Sequence, residues 1–357
     1  MSKLELSGEC QTVLGLIAPG DLGVTLPHEH LFVDSSCTFV EPSGATEKAM
    51  AHQPVALDIM WWLRYHANQN IDNLLLLDEQ EAIEEAMHFK LAGGNSIVEL
   101  SNIGLARDPE ALARISRATG LNIIMGSGYY QAASHGPEMD AKTEDEITEE
   151  IVRDITVGVG NTGIRSGIIG EVGCSWPLTD NERKSLRASA RAQRLTGAPL
   201  NVHPGHSEEA PMEIIKILSD AGADIGRTVI DHMERTLRNP DNRVELAKTG
   251  CYLEYDTFGR EGYFQRRHVG GGTRIVVDMP NDTQRINEII ELIDRGYLKQ
   301  LLISHDICRK DKLRAYGGWG YDHILRNVLL VLHDKGMTEE QIHTILVDNP
   351  KRLLTFV

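Results

Sequence analysis

Short apolar runs alternate with amphipathic stretches along most of the chain. Ser96–Leu100 (SIVEL), Asn122–Ser127 (NIIMGS), Ile164–Val172 (IRSGIIGEV), Pro199–His203 (PLNVH), Thr228–His232 (TVIDH), Cys251–Asp256 (CYLEYD) and Gln300–His305 (QLLISH) each read as a strand. Several are apolar without interruption, as expected of parallel strands covered on both faces. Between them lie segments of helical period: Asp108–Thr119, Glu144–Val157, Thr179–Thr196, Ser207–Ala221, Pro240–Lys248 and Asp282–Arg295. Two more helices are expected within Tyr321–His333 and near Thr338–Val347. Asp-Pro opens the first of these helices and Gly197 stops the third, the usual start and stop chemistry.

Upstream the pattern is less regular. Gln11–Leu16 and Val24–Leu26 flank Ala18-Pro19-Gly20-Asp21, where proline presets φ and glycine permits positive φ. Residues 10–26 therefore read as a β-hairpin leading into a first core strand that ends at His28-Glu29-His30. Residues 35–58 show no clean period and contain Pro42, Gly44 and Pro54, so a long loop is expected. From Asp58 to Gly93 the pattern turns helical, with Asp78 as a cap for the second part. Eight strands separated by helices, with no break in composition, predict an α/β chain folded as a single (β/α)8 TIM barrel spanning 1–357. A doubly wound open sheet is the competitor. It usually offers a glycine-rich phosphate turn after its first strand, and here His28-Glu29-His30 holds that place.

Composition narrows the partners. The net charge of −16 disfavours a nucleic-acid or anionic-membrane partner, leaving a small-molecule substrate whose pocket can still carry the opposite sign. No apolar run is long enough to span a membrane, and MSKLELSGEC lacks the apolar core of a secretory signal. The five cysteines are an odd number without a C-x-x-C pair, which fits reduced thiols in the cytoplasm.

The chemistry sits at strand ends. Histidines two apart on an extended strand point to one side, so His28 and His30 can aim at a common point. Active sites of (β/α)8 barrels lie at the C-terminal ends of the strands. There the chain also places Glu171 on strand four, His203 on five, His232 on six and Asp306 on eight. Imidazole and carboxylate ligands without thiolates favour zinc, manganese, iron or cobalt. Six ligands are too many for one tetrahedral ion, so two divalent ions bridged by a carboxylate are more economical. Such a pair lowers the pKa of a bridging water, and Asp306 beside it is placed to accept the proton and pass it to the leaving group.

HxH on strand one, an acid or lysine bridge on strand four, histidines on five and six and aspartate on eight is the pattern of the amidohydrolase superfamily. More closely, the chain resembles the phosphotriesterase-related branch of the phosphotriesterase family. The matching stretches are QTVLGLI, LPHEHL, GIIGEVGCSWPLT, HPGHSEEAP, GCYLEYDTFG and SHDICRKDKLRAYGGWGYDHI, from about residue 10 to the end. The resemblance implies that His28, His30 and Asp306 hold a buried ion, His203 and His232 an exposed one, and Glu171 bridges them. Zinc is the first expectation. Many relatives bridge with a carbamylated lysine, whereas GIIGEVG offers glutamate, which needs no CO₂. A one-residue slip would turn Glu171 to the other face.

The resemblance further implies hydrolysis of a small N-acyl amino or sulfonic acid such as N-acetyltaurine. A lactonase or aryldialkylphosphatase-like phosphotriesterase using the same site is the alternative, and a non-catalytic metal-binding scaffold barrel is the remote one. Related barrels are often dimers, so a homodimer is the assembly it suggests. Among loop residues, Tyr130 either donates to a substrate carbonyl or packs, and Arg309 and Lys310 either clamp an anion or face solvent. Trp319 is a candidate pocket wall and His206 a partner to the ligands. Asp231 and Glu254 either orient ligands or cap barrel layers. Gly270-Gly271-Gly272 reads as a flexible loop, and no catalytic part is expected for His52, His66, His88, His268, His333 or His343.

Overall fold

In the computed structural model, which describes residues 3–267 and 274–357 and side chains within 5–263 and 277–357, eight parallel strands form a barrel wall. They are β1 (Thr25–Glu29), β2 (Ser96–Glu99), β3 (Asn122–Met125), β4 (Ile169–Gly173), β5 (Leu200–His203), β6 (Thr228–Ile230), β7 (Tyr252–Tyr255) and β8 (Leu301–Ile303). Each matches an apolar run read from the sequence. Successive residues turn to opposite faces and both faces are buried: Ile97 and Ile123 join one apolar cluster, Val98 and Ile124 another.

Regular pairing runs β1-β2-β3 and β4-β5-β6-β7-β8, and looser bonds close the two arcs into a ring. Between β3 and β4, Gly167 N–H donates to Met125 O at 2.9 Å and Gly170 N–H to Ser127 O at 2.7 Å. Gly126 must be glycine for this approach, since a Cβ there would lie 2.0 Å from the Gly170 carbonyl oxygen. Between β8 and β1 the middle residue of His28-Glu29-His30 takes over. Glu29 Oε1 accepts from Ser304 Oγ at 2.8 Å, His305 N–H at 2.9 Å and His305 Nδ1 at 2.7 Å, and Oε2 accepts from Ile307 N–H at 3.0 Å. Period two thus sends both histidines one way and the glutamate the other, as the stitch that closes the barrel. Glu29→Ala strands these buried donors, so a destabilisation of about 3–5 kcal/mol is expected. An unchanged denaturation midpoint would show that closure does not depend on it.

The helices start where their caps stand. Thr179 and Glu182 form a reciprocal capping box at Asp180–Thr196. Glu182 also accepts from Ala132 N–H and Ser175 N–H, both at 3.0 Å, and so ties the loops after β3 and β4 together at the mouth.

Four regions depart from expectation. The hairpin is tighter and earlier, with Cys10–Thr12 paired to Gly15–Ile17; Gly15 at φ 128° permits the sharp return. Pro19–Asp21 is instead a 3-10 turn, and Val24–Leu26 runs into β1. The expected loop at 35–58 contains a short helix, Ala45–Ala51. Asp58–Gly93 divides into the helices Met60–His66 and Glu79–Leu91, with Leu75–Leu76 between them pairing antiparallel to Val33–Asp34. After β7 the chain forms an antiparallel pair, Gly262–Arg267 with Arg274–Met279. Gly270–Gly272 and His268 lie outside the residues so described. Among the described residues no helix is long and apolar enough to cross a membrane.

Candidate metal centre

Five strand ends deliver six buried side chains to one place. His28 lies in β1 with His30 just beyond it, Glu171 in β4, His203 at the end of β5, His232 just after β6 and Asp306 just after β8. His28 Nε2 lies 3.8 Å from both Glu171 Oε1 and Asp306 Oδ1. His30 Nε2 lies 3.8 Å from Glu171 Oε2 and 3.3 Å from Asp306 Oδ1. On the other side of the same carboxylate, Glu171 Oε1 is 2.5 Å from His203 Nδ1 and 3.2 Å from His232 Nε2. Glu171 therefore faces inward and stands between two histidine pairs.

The donor set fits divalent cations. His28 Nε2 is buried and has no hydrogen-bond partner among the described residues, although two carboxylates face it. At 3.8 Å these contacts are too long for hydrogen bonds. Ligand atoms each about 2.0–2.2 Å from a shared ion stand roughly 3–4 Å from one another. His28, His30 and Asp306 form one group that could hold an ion, and His28, Glu171, Asp231 and His232 form another, the ligand atoms within each lying within 4.8 Å of one another. His203 sits closer to its neighbours, its Nδ1 2.8 Å from His232 Nε2. His232 (φ 56°) and Asp306 (φ 49°) adopt the left-handed conformation, shared among described non-glycine residues only by Ala106. Such backbone costs about 1–3 kcal/mol per residue and tends to mark functional positions.

Behind these groups stands a layer of acids. His28 Nδ1 faces Glu254 Oε2 at 3.3 Å, Asp256 Oδ2 at 3.4 Å and Asp231 Oδ2 at 3.5 Å, so Asp231 and Glu254 both stand beside a ligand candidate, and Glu254 is hydrogen-bonded to it. His232 Nδ1 is 2.6 Å from Asp256 Oδ1, and His30 Nδ1 is 3.1 Å from Ser101 Oγ. These partners leave Nε2 of all three rings directed at the centre.

Charge is correspondingly lopsided. Burial disfavours charge on His28, yet Asp231, Asp256 and Glu171 outweigh it and hold the imidazole well above its usual range. Burial also opposes charge on His30, and Asp306 and Glu171 again prevail. Burial, with Arg235 and His203 nearby, pushes His232 well below its usual range. Burial would raise Glu171, but His203 and His28 bring it below the ordinary carboxylate range. Asp306 is held low in the same way, Arg260 and His30 overriding burial. Burial and neighbouring carboxylates push Asp231 and Asp256 well up. Divalent cations binding there would displace protons and supply the positive charge these carboxylates attract.

The centre opens into a cavity of ≈ 200 Å³ lined by His30, Glu171, His203, His232 and Asp306. Tyr130 and Arg309 also line it. The Tyr130 ring lies edge-on to His203 at 5.2 Å between centroids, and Arg309 Nη1 donates to Asn68 Oδ1 at 3.2 Å. Lys310 turns away to Asp72, 2.6 Å distant. Trp319 lines an adjoining cavity of ≈ 750 Å³ rather than this one. His206 accepts from Arg235 Nη1 at 2.9 Å, and Arg235 Nη2 reaches His203 Nε2 at 3.0 Å.

Arg235, Arg260 and Asp256 were missed from the sequence. Asp256 could have been found as a carboxylate at the C-terminal end of a barrel strand. The arginines carry no local signal, because their partners lie far along the chain.

The family model described as the phosphotriesterase family matches residues 8–354. An N-acetyltaurine hydrolase from Bos taurus is 43% identical over 352 residues, 98% of this chain and 99% of that protein. Among solved structures, a resiniferatoxin-binding protein from Rhodobacter sphaeroides superposes with a TM-score of 0.92 at 36% identity, covering 99% of this chain and 98% of that one. A lactonase from Listeria monocytogenes superposes with a TM-score of 0.78 at 25% identity over 98% and 99% of the two chains.

Proposed function

The chain belongs to the phosphotriesterase family of hydrolases, typically binuclear and metal-dependent, and from that premise we propose that it cleaves the amide bond of small N-acyl amino or sulfonic acids of the N-acetyltaurine kind. His28, His30 and Asp306 would hold one divalent ion and His203 and His232 a second, with Glu171 available to both; zinc is the first candidate, then manganese, cobalt and iron. The observation that carries this reading is the Glu171 carboxylate set between two pairs of imidazole nitrogens. The relative at 43% identity supports the substrate class.

Bound divalent ions supply Lewis acidity and a nucleophilic water at neutral pH. The chain's own residues do the rest. Arg260 and His30 keep Asp306 ionised, so it rests in the proton-accepting form. It takes the proton of the attacking water and delivers it to the departing amine nitrogen. Tyr130, beside His203 on the cavity wall, donates its hydroxyl proton toward the substrate carbonyl oxygen. Glu254 and Asp256 hold His28 and His232 in the orientations the ions require. A cavity of ≈ 200 Å³ suits a short acyl group.

The test is a metal-reconstituted assay across N-acetyltaurine, N-acetyl amino acids, lactones and aryl phosphotriesters. The highest kcat/KM is expected for an N-acetyl acid. A higher value for a lactone would favour the second reading, which the resemblance to a solved lactonase supports.

A further inference from the structure

Two guanidinium groups from different loops meet at the wall of the reaction cavity. Arg260 follows β7 and Arg309 follows β8, with side chains only 12% and 15% exposed. Both also line the adjoining cavity, so they stand where the two spaces meet. Arg260 Nη2 reaches Asp306 Oδ2 at 3.0 Å, the Asp306 carbonyl oxygen, and Cys308 Sγ at 3.4 Å. Arg309 Nη1 donates to Asn68 Oδ1 at 3.2 Å.

Among the described residues, the carboxylate that each group pairs with is shared with another cationic or imidazole group. Asp306 also faces His30 at 3.3 Å, and Asp311, 3.5 Å from Arg309 Nε, is paired with Lys312 Nζ at 2.6 Å. The Nε of Arg260 and the Nε of Arg309 are both buried and have no hydrogen-bond partner among the described residues. A buried, charged donor without an acceptor is costly, and buried polar groups in folded proteins are as a rule satisfied. Two such guanidinium groups lining one cavity, in a chain of net charge −16, form a local positive site against the overall sign.

We propose that Arg260 and Arg309 form an anion subsite that holds the sulfonate or carboxylate of the leaving amine. The planar guanidinium offers N–H groups in a fork that matches paired acid oxygens. Because Arg260 touches Asp306 directly, the acid group is held one guanidinium away from the residue that moves the proton. Only a short spacer fits between that group and the amide. The pair therefore selects acids over neutral amides and short spacers over long ones, and Arg309 acts on substrate binding without touching Asp306. This inference deepens the amide-hydrolase reading and rests on it for the identity of the anion, though binding of the anion can be measured without turnover.

The test uses metal-saturated protein with ethanesulfonate as the probe and ethyl methyl sulfone as its neutral counterpart, followed by calorimetry. Ethanesulfonate is expected to bind and the sulfone not to. Arg309→Gln is expected to weaken ethanesulfonate about tenfold or more at unchanged metal content, with Arg309→Lys intermediate. In the assay, Arg309→Gln should raise KM for N-acetyltaurine far more than for N-acetylethanolamine. Should the variants fold poorly, the wild-type protein answers alone: ethanesulfonate should protect Arg260 and Arg309 from phenylglyoxal, mapped by peptide mass spectrometry. Equal ethanesulfonate affinity in wild type and Arg309→Gln, or no protection of either arginine, would overturn the subsite. Arg309-dependent binding without amide hydrolysis would keep the subsite and overturn the amide-hydrolase reading instead.

Discussion

Asp306→Asn is expected to lower turnover by about 10²–10⁴-fold, the usual contribution of general acid–base catalysis, with the barrel intact. Asparagine tolerates the left-handed backbone found at φ 49° and keeps one oxygen directed toward the centre. It loses the charge that pairs with Arg260 at 3.0 Å and faces His30 at 3.3 Å, and with it the ability to take a proton. Arg260 and His30 hold the native carboxyl well below the ordinary range, which favours its ionised form. The measurement is kcat on protein whose metal content matches wild type. Comparable turnover in a fully metallated variant would remove Asp306 from the proton path.

The second large effect concerns the bridge. Glu171→Gln keeps size and shape but offers a neutral amide to two cations, leaving their mutual repulsion less screened. Loss of at least one of the two ions is expected, with folding largely preserved. The carboxylate is within 3.8 Å of nitrogens on His28, His30, His203 and His232, which places it between all four. Elemental analysis after dialysis reads the loss directly. Two tightly held ions with normal turnover in this variant would place the bridge elsewhere.

Much of this was legible along the chain because barrels punctuate their sequences. SIVE and NIIM are strands buried on both faces and read as such, and each ligand candidate closes an apolar run. The face of Glu171 was the open point, since one residue of slip reverses it. The β4–β5 pairing in fact shifts register between Ile169 and Val172, and Glu171 still turns inward, against His203. What escaped notice was tertiary. The sequence assigns no role to Glu29, because its role across the β8–β1 seam depends on Ser304, His305 and Ile307, more than 270 positions away. Arg260 reads as an ordinary loop charge until the fold sets it against Asp306, 46 positions on. The antiparallel pair after β7 did not stand out in the sequence, and the structure shows it through its main-chain pairing. Pro42, Gly44 and Pro54 likewise masked the helix Ala45–Ala51, which is too short to show a period.

The most direct test of the account is the metal content of wild-type apo-protein reconstituted with zinc, manganese or cobalt in CO₂-depleted buffer. With the bridge already present as the Glu171 carboxylate, two ions per chain are predicted, with the same content and the same rate when bicarbonate is added. One ion per chain at saturation, or a requirement for bicarbonate, would contradict it.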